Sequence, residues 1–238
     1  MGTILASASG APKTLFNPRQ RSPLMWINPA LGVTADSSGN VTQLLDQGSA
    51  RLVFTQGTPP TRVQIQASSP LFGGQPALIV PPVVAGAASF TSPTAFFSRP
   101  QPYTVYGVFW LMMLGGTVNL VNFSSTQVWA SFGGASGYAM SAGTILQSTI
   151  PSVGIHVVCC VFNGASSVLY GDSSVAPNVT GDAGTGNASQ VVGLLGNSVT
   201  VGNSYGLGQL LLFLGIDTPA QVAQMFSYLG DYYTQPWS

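Results

Sequence analysis

The sequence predicts an all-β chain: a two-sheet antiparallel sandwich with one short C-terminal helix and an extended N-terminal arm. Two patterns carry the prediction. Ten short β-type runs are separated by clusters of Gly, Pro, Asn and Ser, and glycine (29) and proline (17) together make about a fifth of the chain. The residues that build long helices are missing: there is no glutamate, Lys13 is the only lysine, and charged side chains make up 5% where about 25% is usual. A chain of 238 residues with 45% hydrophobic side chains can close one large core without disulfide or metal staples.

In chain order, residues 1–25 show small residues to Gly10 and then Pro12, Pro18 and Pro23 within a basic stretch, which predicts an extended arm before a domain over 26–238. The strand runs follow at Val41–Leu45, Arg51–Thr55, Ala77–Val80, Tyr103–Leu114, Thr117–Phe123, Thr126–Phe132, Ile155–Phe162, Ser166–Tyr170, Gln190–Leu195 and Leu207–Leu214. Phe162-Asn163-Gly164-Ala165 is the sharpest hairpin signal, because Asn-Gly supplies the positive φ of a type I′ turn. The helix begins at Thr218, a capping residue, with Pro219 in its first position and Gln221 at capping-box spacing. Val222, Met225, Phe226 and Leu229 give it an apolar stripe, and Gly230 is expected to stop it.

Composition excludes several functions. Six basic and six acidic side chains give a net charge of zero, far from the dense basic surface that nucleic acid demands. A mean hydropathy of +0.35 is incompatible with disorder. The longest apolar run, Tyr103 to Leu114, is shorter than the ~20 residues of a membrane helix. No charged and apolar secretory leader opens the chain, so a product made in a cytoplasm is expected. Cys159 and Cys160 are adjacent, point to opposite faces of a strand and read as buried free thiols. The glycosylation sequons at Asn40, Asn122, Asn178 and Asn187 are attributed to chance.

The charge is unevenly placed. Residues 1–100 hold all six bases and two acids, and residues 101–238 hold the other four acids. Ile4, Leu5, Lys13, Leu15, Phe16, Arg19 and Arg21 are therefore the candidate residues by which the arm docks on a partner; the alternative is that the arm folds back on its own domain.

Catalytic patterns are weak. Asp36/Asp46 and Asp172/Asp182 are the nearest acid pairs, and they sit in Gly/Ser-rich segments where aspartate bonds its own turn. His156, the only histidine, lies roughly 13 Å along a strand from its same-face neighbour Cys160, too far to share an ion. No G-x-S-x-G occurs, and the glycines around Gly184 and Gly186 miss the spacing of a nucleotide loop. No enzyme activity, cofactor or metal is expected. Among the aromatics, Trp110 and Trp129 read as core, while Tyr138 and Tyr205 stand beside glycines and are candidates for contact with a glycan.

In order along the chain, Trp26-Ile27-Asn28-Pro29-Ala30, the segment Asp36 to Gly48, Gln75-Pro76-Ala77-Leu78, Tyr103 to Phe109 and Ile155 to Tyr170 resemble the laminin G-like, concanavalin A-like jelly-roll domains of bacterial surface and phage proteins. The closing helix, with Tyr228-Leu229 and Tyr232-Tyr233, is similar as well. The resemblance covers about residues 25–235, departs at Leu44-Leu45-Asp46 and at Gly171-Asp172, and implies binding of glycan or protein at loop tips. The superfamily's glucanases use glutamate, which this chain lacks. The expected function is that of a non-enzymatic virion structural protein, such as a tailed-phage capsid decoration, fibre or tail component, docked on virion proteins and forming a homo-oligomer; a surface this poor in charge needs covering. The alternative is an extracellular or cell-surface carbohydrate-binding or adhesion module that contacts a host-surface glycan. No nucleic acid and no membrane is expected as a partner.

Overall fold

A computed structural model describes residues 16–56, 63–81, 90–92, 98–111, 117–122, 128–133, 137–148, 153–186, 188–189, 193–196 and 204–237. Among these the strands are β1 (Met25–Ile27), β2 (Val33–Ala35), β3 (Val41–Leu45), β4 (Val53–Gln56), β5 (Gln64–Gln66), β6 (Ala77–Val80), β7 (Phe90–Thr91), β8 (Ser98–Arg99), β9 (Tyr103–Leu111) and β10 (Thr117–Asn122). They continue with β11 (Val128–Gly133), β12 (Ala139–Ala142), β13 (Ile145–Gln147), β14 (Gly154–Phe162), β15 (Ser167–Gly171), β16 (Val179–Gly181), β17 (Ala188–Ser189), β18 (Gly193–Gly196) and β19 (Tyr205–Leu214), and a single helix, α1 (Pro219–Tyr233), follows.

The described strands form two large sheets and a small ribbon. One sheet runs β16-β15-β14-β9-β19-β6-β5, with β1 also on β19; the other runs β13-β12-β11-β10-β18-β7-β4-β3-β2; β17 pairs with β8. All ladders are antiparallel, as the turn-rich sequence predicts. β6 pairs with Tyr205–Leu207 and β1 with Leu210–Leu212, so the two short strands share one edge of β19.

Alternation in the strands divides the apolar residues between two layers. Met25, Ile27, Val105, Cys160 and Leu210 face Leu44, Phe54, Met140 and Leu194 of the opposite sheet. Trp26, Tyr106, Cys159 and Leu211 face outward, where α1 covers them with Val222, Met225, Phe226, Leu229 and Tyr233. β9, β14 and β19 are therefore buried on both faces, the physical reason that their sequences are continuous apolar runs without a polar alternation. The cysteines are free and buried, one in each layer. Gly208 is required beneath the helix: a Cβ there would stand 2.5 Å from the Tyr233 hydroxyl.

The helix begins as predicted, with the reciprocal Thr218–Gln221 capping box and Pro219 at its start. It does not stop at Gly230. It runs to Tyr233 and ends on Thr234 at φ 57°; Gly230 instead admits the returning chain, since a Cβ would lie 2.8 Å from the Gln235 carbonyl. The β14–β15 connection also differs from the predicted two-residue turn. Asn163 has φ −150°, and a 3-10 turn over Gly164–Ser166 follows, so only Gly164 takes the positive φ. The arm boundary moves as well. Residues from Phe16 pack on the domain, a 3-10 turn covers Pro18–Arg21, and β1 begins inside the predicted arm.

Candidate functional site

Three segments converge at one end of β19. The first is the N-terminal segment, where the Asn17 side chain accepts the Arg19 N–H at 3.0 Å and caps the Pro18–Arg21 turn. The second is the β3–β4 loop. Its organiser is Asp46, a buried carboxylate that accepts N–H groups of Trp26 at 2.7 Å, Gly48 at 2.7 Å and Leu52 at 3.3 Å. Burial pushes the Asp46 carboxyl above its ordinary range, outweighing those three donors. The loop is bonded to the N-terminal segment: Gln47 N–H to Trp26 C=O, Ser49 N–H to Pro23 C=O and Ala50 N–H to Leu24 C=O. The crossing is so close that a Cβ on Gly48 would meet the Leu24 carbonyl at 2.6 Å.

The third segment is the turn from β19 into α1. Gly215, at φ 91°, reverses the chain, and the Thr104 hydroxyl donates to its carbonyl at 3.0 Å. Asp217 then accepts the Tyr106 hydroxyl at 2.5 Å and an ion-paired hydrogen bond from Arg21 Nη2. The Arg21 guanidinium lies over the Phe213 ring, 4.3 Å from its centroid. Burial works against the Arg21 charge, but the bond and charge of Asp217 hold its pKa above the ordinary value. Arg21 Nη1 is buried with no hydrogen-bond partner.

Two adjoining clefts open between these segments. One, of about 440 Å³, is lined by Arg21 and its partner Asp217 with Phe213, Leu214, Ile216 and Gln221; the other, of about 220 Å³, by Arg19, Gln47 and Arg51. Ser22 and Ser49 line both and join them into one groove. Arg19 stacks 5.6 Å from the Trp26 ring centroid, and Arg51 is exposed. Leu214 and Ile216, 47% and 51% exposed, form the apolar lip. Ser22 and Arg51 both hold left-handed backbones, φ 49° and 54°, a conformation that costs a non-glycine residue.

In the described part of the arm, the contacts are those of the fold-back alternative. Arg21 is tied to Asp217 and Phe213, Arg19 lies on Trp26, and Phe16 packs edge-on against Tyr228 at 5.9 Å, so all three are used within their own chain. Ile4, Leu5, Lys13 and Leu15 lie outside the described residues. The sequence singled out Arg19 and Arg21 but not Arg51. Nothing in the spacing could join them until the β3–β4 loop was seen to pair with residues 23–26.

The glycan expectation for Tyr138 and Tyr205 is corrected. They are 3% and 1% exposed. Tyr205 lies in β19 and donates to the Leu195 carbonyl at 3.0 Å. Tyr138 lies over Gly171, where a Cβ would strike its ring at 2.4 Å, and donates to Asp172 at 2.5 Å. Of the glycines adjacent to these two residues, Gly206 marks close packing, a Cβ there meeting the Phe72 ring at 2.8 Å, and Gly137 supplies a positive φ of 67° ahead of Tyr138. Asp172 completes an internal cluster: its Oδ2 is 2.7 Å from His156 Nδ1, and its Oδ1 accepts the Val157 N–H at 3.0 Å. His156 is thus a buried strand residue with a bonded ring nitrogen. Asp36 and Asp182 hold their own turns, accepting from Ser38 and Gly184. Trp110 is only partly buried, on the helix side of its sheet; Trp129 lies in β11. Among the described residues no three His, Cys, Asp or Glu side chains gather as a metal site.

Stacked antiparallel sheets with a helix on one outer face define a β-sandwich of jelly-roll type. No family model matches the sequence, and no curated protein does. Solved structures do match. The chain is similar to the botulinum neurotoxin serotype D/C VPI 5993 binding domain (TM-score 0.61, 8% identity, 87% of this chain and 52% of that one). It is similar to the serotype D ligand-binding domain in complex with N-acetylneuraminic acid (0.60, 8%, 91% and 54%) and to the D/C binding domain in complex with rat synaptotagmin II (0.60, 8%, 87% and 52%). The chain spans about half the length of these structures, and at such identity the likeness is one of fold.

Proposed function

We propose that this protein is a non-enzymatic binding module that recognises a glycan or protein ligand on an extracellular or cell surface. One observation carries the reading: three of the chain's six bases converge on a single open groove built by segments distant in sequence. The described carboxylates argue against hydrolysis, because Asp46, Asp172 and Asp217 are consumed by internal donors and Asp36 and Asp182 by their own turns, which leaves the exposed helix residue Asp231 without a second acid to pair with. The neighbours support the same class, being receptor- and ligand-binding domains of the same fold. They favour the binding module over the virion component suggested by composition. The jelly-roll resemblance in the sequence, with its implied glycan or protein binding, is in accord.

The test is saturable binding of fluorescently labelled protein to intact cells, before and after treatment with glycosidases or proteases. Binding removed by either treatment supports the module; no saturable binding to any cell type or extracted surface protein would overturn it. Native mass measurement tests the homo-oligomer expected from the low surface charge.

A further inference from the structure

We infer that the groove between the N-terminal segment, the β3–β4 loop and the β19–α1 turn is a recognition site for an acidic saccharide, one that presents a carboxylate or sulfate ester on a hydroxyl-rich ring. The inference rests on the binding-module reading and gives it a place and a ligand class.

Charge comes first. Asp217 neutralises Arg21, while Arg19 and Arg51 line the smaller cleft as exposed cations, Arg51 partly offset by the charge of the buried Asp46. Among the described residues no carboxylate lines that cleft. Two arginines facing one cleft favour an oxyanion, because the planar guanidinium fork matches carboxylate and sulfate geometry. Set against Asp217 and Asp46, the three arginines leave the groove with an excess of one positive charge when both acids are ionised.

The second observation is an unsatisfied donor. Arg21 is held flat on Phe213 with Nη2 on Asp217, and its Nη1 is buried without a protein acceptor while the side chain lines the larger cleft. A buried N–H of this kind costs stability unless something accepts from it. That nitrogen is closed to solvent, so a ligand oxygen in the cleft supplies the missing bond only with a shift of the Arg21 side chain toward it.

The third is the rest of the lining. Ser22, Ser49, Gln47 and Gln221 are neutral groups that both donate and accept, the inventory a polyhydroxylated ring requires. Leu214 and Ile216 offer an apolar edge to the C–H face of such a ring. Nucleic acid, which needs a long run of phosphate contacts, is a poor fit to a short groove with two exposed cations.

The groove is tested by measuring binding of 3′-sialyllactose, 3′-sulfated lactose and lactose to the full chain, to Arg19→Ala/Arg51→Ala and to Arg51→Lys. Arg19 and Arg51 are exposed, so Arg51→Lys should keep the wild-type melting temperature and the double variant should lose only the few degrees that the Arg19–Trp26 stack contributes. The expected result is binding of at least one acidic probe, at least tenfold weaker binding of lactose, and at least a tenfold loss in the double variant. Arg51→Lys should be intermediate, and added salt should weaken the acidic probe. Equal binding of lactose, binding unchanged in the double variant, or no binding of either acidic probe would overturn the assignment. If cell-surface binding persists in the double variant, the module reading stands and only the groove falls.

Discussion

Replacing Asp217 by alanine tests the tie that holds the N-terminal segment. Asp217 is buried and serves two donors, the Tyr106 hydroxyl at 2.5 Å and Arg21 Nη2, so its loss strands both. Removing one partner of a buried ion pair costs about 3–5 kcal/mol. The Arg21 side chain retains 16% exposure, which lets water reach it and argues for the lower end. The orphaned Tyr106 hydroxyl adds about 1–3 kcal/mol. A total near 4 kcal/mol would lower the melting temperature by roughly 8–16 °C in a domain of this size. Asp217→Asn keeps an acceptor for Tyr106 and should fall between the alanine variant and wild type. The measurement is urea unfolding of the single variants, Arg21→Met and Arg21→Met/Asp217→Ala. A coupling energy indistinguishable from zero in that cycle would refute the account of Arg21 as an anchored residue.

Three further outcomes are expected. Phe226→Ala should destabilise by about 3–5 kcal/mol, since its ring is fully buried between α1 and the eight-stranded sheet; calorimetry checks it, and an unchanged melting temperature would place the helix elsewhere. Because the fold holds the Asp46 proton more tightly than the unfolded chain does, the stability this group contributes is fully present below its unfolded pKa and is lost as pH rises through its higher folded value. Asp46→Asn should therefore trail wild type most at acid pH and least at neutral pH in denaturation curves, and the reverse trend would be decisive against it. Cys159 and Cys160 should resist alkylation in the native state and react only on unfolding, because burial raises both thiols and keeps reagents out; native-state labelling as fast as in urea would contradict the layer assignment.

The sandwich and the helix were legible because their signals are local. Val41–Leu45 and Ala77–Val80 match β3 and β6 residue for residue, and the capping box at Thr218 fixed the helix start. The strands missed, such as β1, β2, β5, β12 and β13, are three or four residues long, too short to show a period; β1 also takes its ladder from β19 at the far end of the chain, while the others pair with sequence neighbours. Gly230 misled for a related reason. A glycine reads as a stop signal, yet here it serves a close approach between chain segments, which only the tertiary structure reveals. The groove was half legible. Arg19 and Arg21 stood out as a cluster, but the sequence alone could not tell an arm that reaches outward from a segment laid on its own domain. That choice is made by Asp217, some two hundred residues away.

The position of β19 has a consequence for how the molecule comes into being. This strand lies between β9 and the shared edge of β6 and β1, so three earlier strands wait on a segment that begins at Tyr205. During synthesis, at about 5–20 residues per second, the nascent chain must hold these unpaired edges until the ribosome has passed Leu214. Closure then joins Met25 to Leu212, one of the longest loops the sequence permits, which makes folding slow in comparison with a helical chain of equal size. The arginine groove is set by the same step, so a nascent or truncated chain lacking β19 has no groove to offer a ligand.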